Sequence, residues 1–225
     1  MEPMLQIAQL KICFDSRTVL DIPELCFEKG KRYALIGANG SGKSTLLRIM
    51  AGIIGDYEGT VSVNTKSIGY MPQKPYAFGF SVMKNVRLAV SDKKTACENA
   101  KKALELVGLT HLRSSCGNRL SGGETQRMAA ARIFAEAHEL ILLDEPTAAM
   151  DIEYSEKIAA ALLEYAEETG CTMVFSTHSP REAAILAQEV ILLDKGRIAE
   201  QGTAQQVLYD TRSEIGRSFL SHWRL

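Results

Sequence analysis

The chain has 225 residues, with 46% hydrophobic and 24% charged side chains. That apolar content excludes disorder for most of it, and the length suffices to bury a core without a disulfide or metal staple. Its 26 Lys+Arg against 27 Asp+Glu leave a formal charge of −1, which argues against a nucleic-acid-coating surface, so no nucleic-acid partner is expected. The five cysteines, at 13, 26, 97, 116 and 171, are odd in number and form no C-x-x-C pair. They read as reduced thiols used mostly as small apolar residues. His111, His138 and His222 lack a ligand-like spacing and read as surface or structural residues.

Glu2 and the lack of a basic start make a signal peptide unexpected at Met1–Leu10, and apolar runs such as Ala183–Ala187 are far too short to span a bilayer. The first thirty residues read as β-rich, with Pro23 suggesting an edge or bulge. A strand over Arg32–Ile36 runs into a glycine-rich stretch and then a helix over Lys43–Ala51. Two short strands are predicted at Thr60–Val63 and Ser67–Met71. From Gln73 to Ala137 the spacing turns helical, with helices predicted over Ser81–Val90, Thr95–Val107 and Gly123–Ala137. Strand and helix then alternate: Leu140–Leu143, Ile152–Thr169, Thr172–Ser176, Pro180–Ala187 and Val190–Leu193, with a hairpin partner at Arg197–Gln201. Two helices, near Gln205–Tyr209 and Ser213–Trp223, close the chain. Continuous apolar strands between helices imply an α/β fold with a parallel sheet covered on both faces.

Gly37-Ala-Asn-Gly-Ser-Gly42-Lys43-Ser44 fits G-x-x-x-x-G-K-[ST] between a strand and a helix. Glycine leaves backbone N–H groups free to wrap a phosphate, and the helix start adds partial positive charge. Lys43 would reach the β/γ-phosphates and Ser44 would ligate Mg²⁺. Leu140-Ile-Leu-Leu-Asp144-Glu145 places Asp144 at the carboxyl end of a buried strand, where a carboxylate can hold Mg²⁺, and Glu145 beside it to polarise an attacking water. A second glycine-rich helix start, Leu120-Ser121-Gly122-Gly123-Glu124, is either a plain cap or a contact to the phosphate of a nucleotide held elsewhere.

Over essentially its whole length the chain resembles the nucleotide-binding subunit of ATP-binding cassette (ABC) transporters. The phosphate loop matches the family's Walker A, Leu120–Gln126 its LSGGQ-type signature, Leu140–Glu145 its Walker B and Ala148–Asp151 its D-loop. Gln73 falls at the Q-loop glutamine, His178 at the switch histidine, and Phe14, 29 residues before Lys43, at the adenine-stacking aromatic. The resemblance implies a P-loop NTPase (RecA-like) fold: one ATPase domain over 1–225, with a core and an antiparallel β subdomain from 1–72 and 138–225, and a helical subdomain over 73–137. It implies ATP and Mg²⁺ as ligands, with Phe14, Gly37, Asn39, Gly40, Ser41, Gly42, Lys43, Ser44 and Thr45 on the nucleotide. Ser44, Gln73 and Asp144 would hold the metal, and Glu145, His178 and Gln73 would carry the chemistry. Ser121, Gly122, Gly123 and Asp151 would reach the nucleotide of a second copy in a closed homodimer. Two departures stand out: Glu124 where Gln is commoner, with no loss of function expected, and Ala148 where a hydroxyl is usual.

A GTPase would need an N-K-x-D element, which is not found, and a metabolite kinase would need neither the signature nor His178. A soluble regulatory ABC ATPase is the remaining alternative; such proteins usually carry two cassettes or long coiled-coil insertions, whereas only about 48 residues separate Gln73 from Ser121. The resemblance therefore implies a prokaryotic importer ATPase, peripheral on the cytoplasmic face of the membrane. It would dock on a separate permease, indirectly serve a substrate-binding protein, and lack both a fused transporter and an added regulatory domain. Gln73–Val82, with Tyr76, Phe78 and Phe80, would receive the permease, and Met71–Phe78 looks similar to importers of the phosphate/tungstate oxyanion group.

Overall fold

A computed structural model describes residues 3–15, 17–221 and 223, so His222 lies outside the described residues, as do Met1, Glu2 and Ser16. Two long strands, β1 (Pro3–Phe14) and β2 (Arg17–Glu28), pair antiparallel, and β4 (Glu58–Val63) joins β1 on its other side. Pro23 does not interrupt β2. It sits on an edge strand of this three-stranded sheet (order β2-β1-β4), where a missing N–H leaves no ladder bond unmade.

The central sheet has six strands in the order β5-β6-β7-β3-β8-β9. It contains β3 (Arg32–Ile36), β5 (Ile68–Met71), β6 (Leu140–Asp144), β7 (Thr172–Ser176), β8 (Glu189–Asp194) and β9 (Arg197–Thr203). All pairings are parallel except β8 with β9, which are joined by a two-residue turn with positive φ at Lys195 and Gly196. Side chains alternate between two cores. Ala34, Ile36, Ile141, Leu143, Met173 and Phe175 face the helices, while Tyr33, Leu35, Leu140, Leu142 and Val174 face the antiparallel sheet. Helix α1 (Lys43–Met50) buries Leu46, Leu47, Ile49 and Met50 between the two sheets, each such side chain contributing about 1.5–3 kcal/mol. This sandwiching fixes where the helix start points.

Helices α2 (Val82–Arg87), α3 (Ala96–Leu106) and α4 (Gly122–Phe134) pack on one another. The second half of the chain adds α5 (Ile152–Thr169), α6 (Pro180–Leu186), α7 (Ala204–Tyr209) and α8 (Glu214–Leu220). Helix α4 stops three residues short of the sequence expectation for a tertiary reason. The Ala135 carbonyl accepts Asn99 Nδ2 and the Glu136 carbonyl accepts the Tyr165 hydroxyl, so neighbouring helices satisfy the chain end instead of another turn. Only Cys171 of the five free cysteines is buried; Cys13, Cys26 and Cys97 are exposed, which corrects their reading as apolar filler.

Candidate nucleotide site

The loop between β3 and α1 is tightly supported. Gly37 has φ 142°, and a Cβ there would lie 2.2 Å from the Leu193 carbonyl oxygen; Gly42 has φ 105°, with Leu20 Cδ2 2.5 Å from where its Cβ would be. A side chain at Gly37 would force strand β8 away, and one at Gly42 would displace the buried Leu20 side chain and strain a backbone at positive φ. The β8–β9 turn braces the loop from behind, with Gly196 N–H donating to the Ser41 carbonyl at 3.0 Å. Lys43 is buried, and its Nζ donates to the Gly37 and Ala38 carbonyls at 2.7 and 3.1 Å. Burial lowers its pKa, opposed by the charges of Glu145 and Asp144. A buried ammonium held only by neutral carbonyls gains most from an anion that displaces them.

Asn39, Gly40, Ser41, Gly42, Lys43, Ser44 and Thr45 line a cleft of about 300 Å³ together with Val19, Gln73 and Glu145. Gly40 and Val19 also border a neighbouring hollow edged by Phe14, Arg17, Thr18 and Lys195. Phe14 is 49% exposed there at the end of β1.

Asp144 is fully buried at the end of β6. Its Oδ1 accepts Ser44 Oγ at 2.9 Å and Ser176 Oγ at 2.7 Å, whereas Oδ2 is buried with no hydrogen-bond partner among the described residues. Glu145 follows with φ 51°, in the left-handed region that a side chain seldom adopts. It is held by its N–H to the Ser176 carbonyl (3.2 Å) and Oγ (3.0 Å), and by Gln126 Nε2 on its carbonyl (3.0 Å). Its carboxylate accepts Gln73 Nε2 at 3.1 Å, and His178 Nδ1 lies 3.7 Å from the same oxygen. Three separate loops thus meet at one oxygen.

Ser121, Gly122, Gly123 and Asp151 are not brought to this cleft. Ser121 caps α4 in a reciprocal box: its Oγ accepts Glu124 N–H, and Glu124 Oε2 accepts Ser121 N–H at 2.8 Å. Those bonds hold the Glu124 carboxyl below its usual range. Asp151 caps α5, accepting Tyr154 N–H at 3.0 Å. Ser176 and Gln126, which fix the two acidic residues, were not singled out from sequence. Gln126 carried a signal in standing within the signature segment; Ser176 carried only its place before the switch histidine.

The family model described as ABC transporter matches residues 20–148. The chain is 36% identical over 205 residues to the tungstate uptake system ATP-binding protein TupC of Peptoclostridium acidaminophilum, covering 86% of this chain and 96% of that one. It is 38% identical to the aliphatic sulfonates import ATP-binding protein SsuB 1 of Streptomyces avermitilis, covering 91% and 75%. Among solved structures, a putative metal-chelate type ABC transporter in an inward-facing conformation superposes with TM-score 0.81 at 31% identity, covering 98% and 90%. A dimeric ATP-binding cassette in a post-hydrolysis state, bound to ADP and Pi, gives 0.82 at 25% identity, covering 89% and 99%. The chain belongs to the ABC transporter family, as an ATP-binding subunit that hydrolyses ATP.

Proposed function

We propose that the chain powers an importer through a separate membrane subunit, by closing a head-to-tail dimer on ATP and reopening it on hydrolysis. The observation that carries the reading is the split between the two glycine-rich helix starts: one lines the cleft with Gln73 and Glu145, the other lies off it. A second copy supplying Ser121, Gly122, Gly123 and Asp151 would complete the site, so ATP would favour the closed state over the open one. The dimeric solved neighbour bound to ADP and Pi supports that arrangement.

The loop amides and Lys43 would bind the β/γ-phosphates, with Phe14 stacking on adenine. Ser44, Gln73 and Asp144 fit Mg²⁺, because Asp144 presents a buried carboxylate oxygen that no protein group satisfies. Bound there, the ion would neutralise phosphate charge. Glu145 would orient the attacking water and accept its proton, and His178 would contact the γ-phosphate. The arrangement is tested with Glu145→Gln: ATP should still bind, hydrolysis should fall at least about 100-fold, and a dimer should accumulate on size exclusion. A variant that stays monomeric with ATP while losing hydrolysis overturns dimer closure.

Among the described residues no helix is long and apolar enough to cross a membrane. The permease would instead dock on an aromatic ladder beside Gln73. Tyr76 (69% exposed) meets Phe78 (42% exposed) edge-on at 5.0 Å, and Phe78 stacks on Phe80 at 5.2 Å. Buried Asn85 and half-buried Arg132 hold this loop from beneath, Asn85 Oδ1 accepting Phe78 N–H and Arg132 Nη1 donating to the Tyr76 carbonyl. Exposed, pre-organised aromatics suit an interface anchor. Assembly on the cytoplasmic face of a prokaryotic membrane follows. For cargo, the likeness to a tungstate uptake protein supports an oxyanion. In proteoliposomes with its permease and binding protein, tungstate should stimulate ATP hydrolysis and an organic cation should not.

A further inference from the structure

Four helices among the described residues begin with the pattern S/T-x-x-E/Q, and two depart from the behaviour that the pattern favours: at Thr95-Ala-Cys-Glu98 no side chain caps the helix and Glu98 pairs with Lys102 instead, while α6 departs in another way. At Ser121-Gly-Gly-Glu124 and at Thr203-Ala-Gln-Gln206 the third-position side chain folds back onto the N–H of its own cap residue. At Ser179-Pro-Arg-Glu182 the cap hydroxyl is used as usual, accepting Glu182 N–H at 3.3 Å, but the Glu182 carboxylate does not fold back. The Ser179 N–H goes to Thr177 Oγ1 instead, at 3.0 Å. Glu182 is thereby released from capping, and its two oxygens accept two hydroxyls on different loops: Thr147 at 2.8 Å on Oε1 and Thr177 at 2.5 Å on Oε2.

Those two threonines are informative by position. Thr147 stands two residues after Glu145, and Thr177 stands immediately before His178. Both are buried, Thr177 almost completely. Placing a carboxylate between them carries a desolvation cost, visible in burial pushing the Glu182 carboxyl up against the pull of the two hydroxyls. Apolar side chains of similar volume would avoid that cost. What a carboxylate adds is two directional bonds that span the loops.

We propose that Glu182 is a positioning residue for ATP hydrolysis, clamping the loop after Glu145 to the loop that carries His178 so that both side chains meet at the cleft. This rests on Glu145 and His178 acting in hydrolysis as described above. Glu182 touches no reacting atom; its effect is on how well the Glu145–His178 pair, 3.7 Å apart, is held. Misplacement of a reacting group by about 1 Å can cost about 100-fold in rate.

The test is steady-state ATP hydrolysis by the full chain, with binding of a fluorescent ATP analogue and thermal unfolding measured alongside. Glu182→Ala should lower kcat about 10- to 100-fold while KM and analogue affinity stay within about threefold, because the phosphate loop is untouched. Glu182→Gln should recover kcat to within about threefold, since an amide can accept from one hydroxyl and donate to the other. Thr147→Val and Thr177→Val should each lower kcat, and either should add almost nothing in the Glu182→Ala background. Wild-type kcat in Glu182→Ala, equal losses in the Ala and Gln variants, or multiplicative effects with the threonine variants would each overturn the clamp. Should Glu182→Ala fail to fold, the two threonine variants decide: wild-type kcat in both overturns it. Glu145→Gln runs beside these as the control. If it keeps full hydrolysis, the underlying site assignment fails; if it is inactive while every Glu182 and threonine variant is normal, only the clamp fails.

Discussion

Ser44 Oγ donates to Asp144 Oδ1 across 2.9 Å, joining two residues a hundred positions apart in the chain. The bond sets the start of α1 against the end of β6, and with Ser176 on the same oxygen it leaves Oδ2 as the one unsatisfied atom of a buried carboxylate.

Ser176→Ala removes one donor to Asp144 and one acceptor for Glu145 N–H, both in a buried setting. Stability should drop by about 1–3 kcal/mol, read as a lower Tm. The rate of ATP hydrolysis should fall further than nucleotide affinity, because the Glu145 backbone sits in an unfavourable region that this bond helps maintain. Equal loss of both would show Ser176 to be structural alone.

Lys43→Ala should weaken binding of a fluorescent ATP analogue at least about 10-fold, since a charge-assisted contact to phosphate contributes about 1.5–3 kcal/mol. Its effect on folding should be small, because the cost of burying the ammonium opposes its attraction to Glu145 and Asp144, and its hydrogen bonds go to backbone carbonyls. Unchanged affinity would remove Lys43 from the phosphate site.

Phe14→Ala should raise KM for ATP by roughly 5- to 150-fold with little change in kcat, the loss of one base–aromatic stack being about 1–3 kcal/mol. Phe14→Trp should restore KM. Half-exposed Phe14 makes little contribution to the core, so Tm should scarcely move; a large Tm loss would mark it as a packing residue.

Acid should loosen the C-terminal helix. Burial raises the Glu200 pKa, but the Arg212 and Ser213 N–H groups and the Thr211 and Ser213 hydroxyls outweigh it and hold the carboxyl at about 2. A folded-state pKa below the unfolded one means stabilisation that is complete above about pH 4.5 and lost as pH falls toward 2. Hydrogen exchange in α8 should therefore accelerate over that window, and Glu200→Gln should show the faster exchange at neutral pH with no further acid response of its own. Exchange in Glu200→Gln matching wild type at pH 7 would refute this.

Much of the architecture was legible because its signals are local. Gly37–Ser44 between an apolar strand and a helix, Leu140–Glu145, and the alternation after Ala137 all carry period, breaker or cap chemistry within a few residues, and the strands and helices stand where that chemistry places them. Errors came where a distant partner decided. Helix α4 ends at Phe134 because Asn99 and Tyr165 take the carbonyls of Ala135 and Glu136 just beyond it, and Cys13, Cys26 and Cys97 face solvent because the strand or helix they sit on turns them outward.

The sequence by itself determined that a phosphate loop, an acidic strand end and a second glycine-rich helix start occur in one α/β chain, since each is written in contiguous residues. Only the tertiary structure decided which of them meet. Gln73, Glu145 and His178 converge on one oxygen, Ser176 joins the two acidic residues, and Glu182 leaves its cap to bridge two loops, while Ser121 and Asp151 stay off the cleft. Directional bonds between residues 31 to 100 positions apart depend on strand order and register, and a parallel sheet brings together loop ends whose neighbours in the chain say nothing of one another.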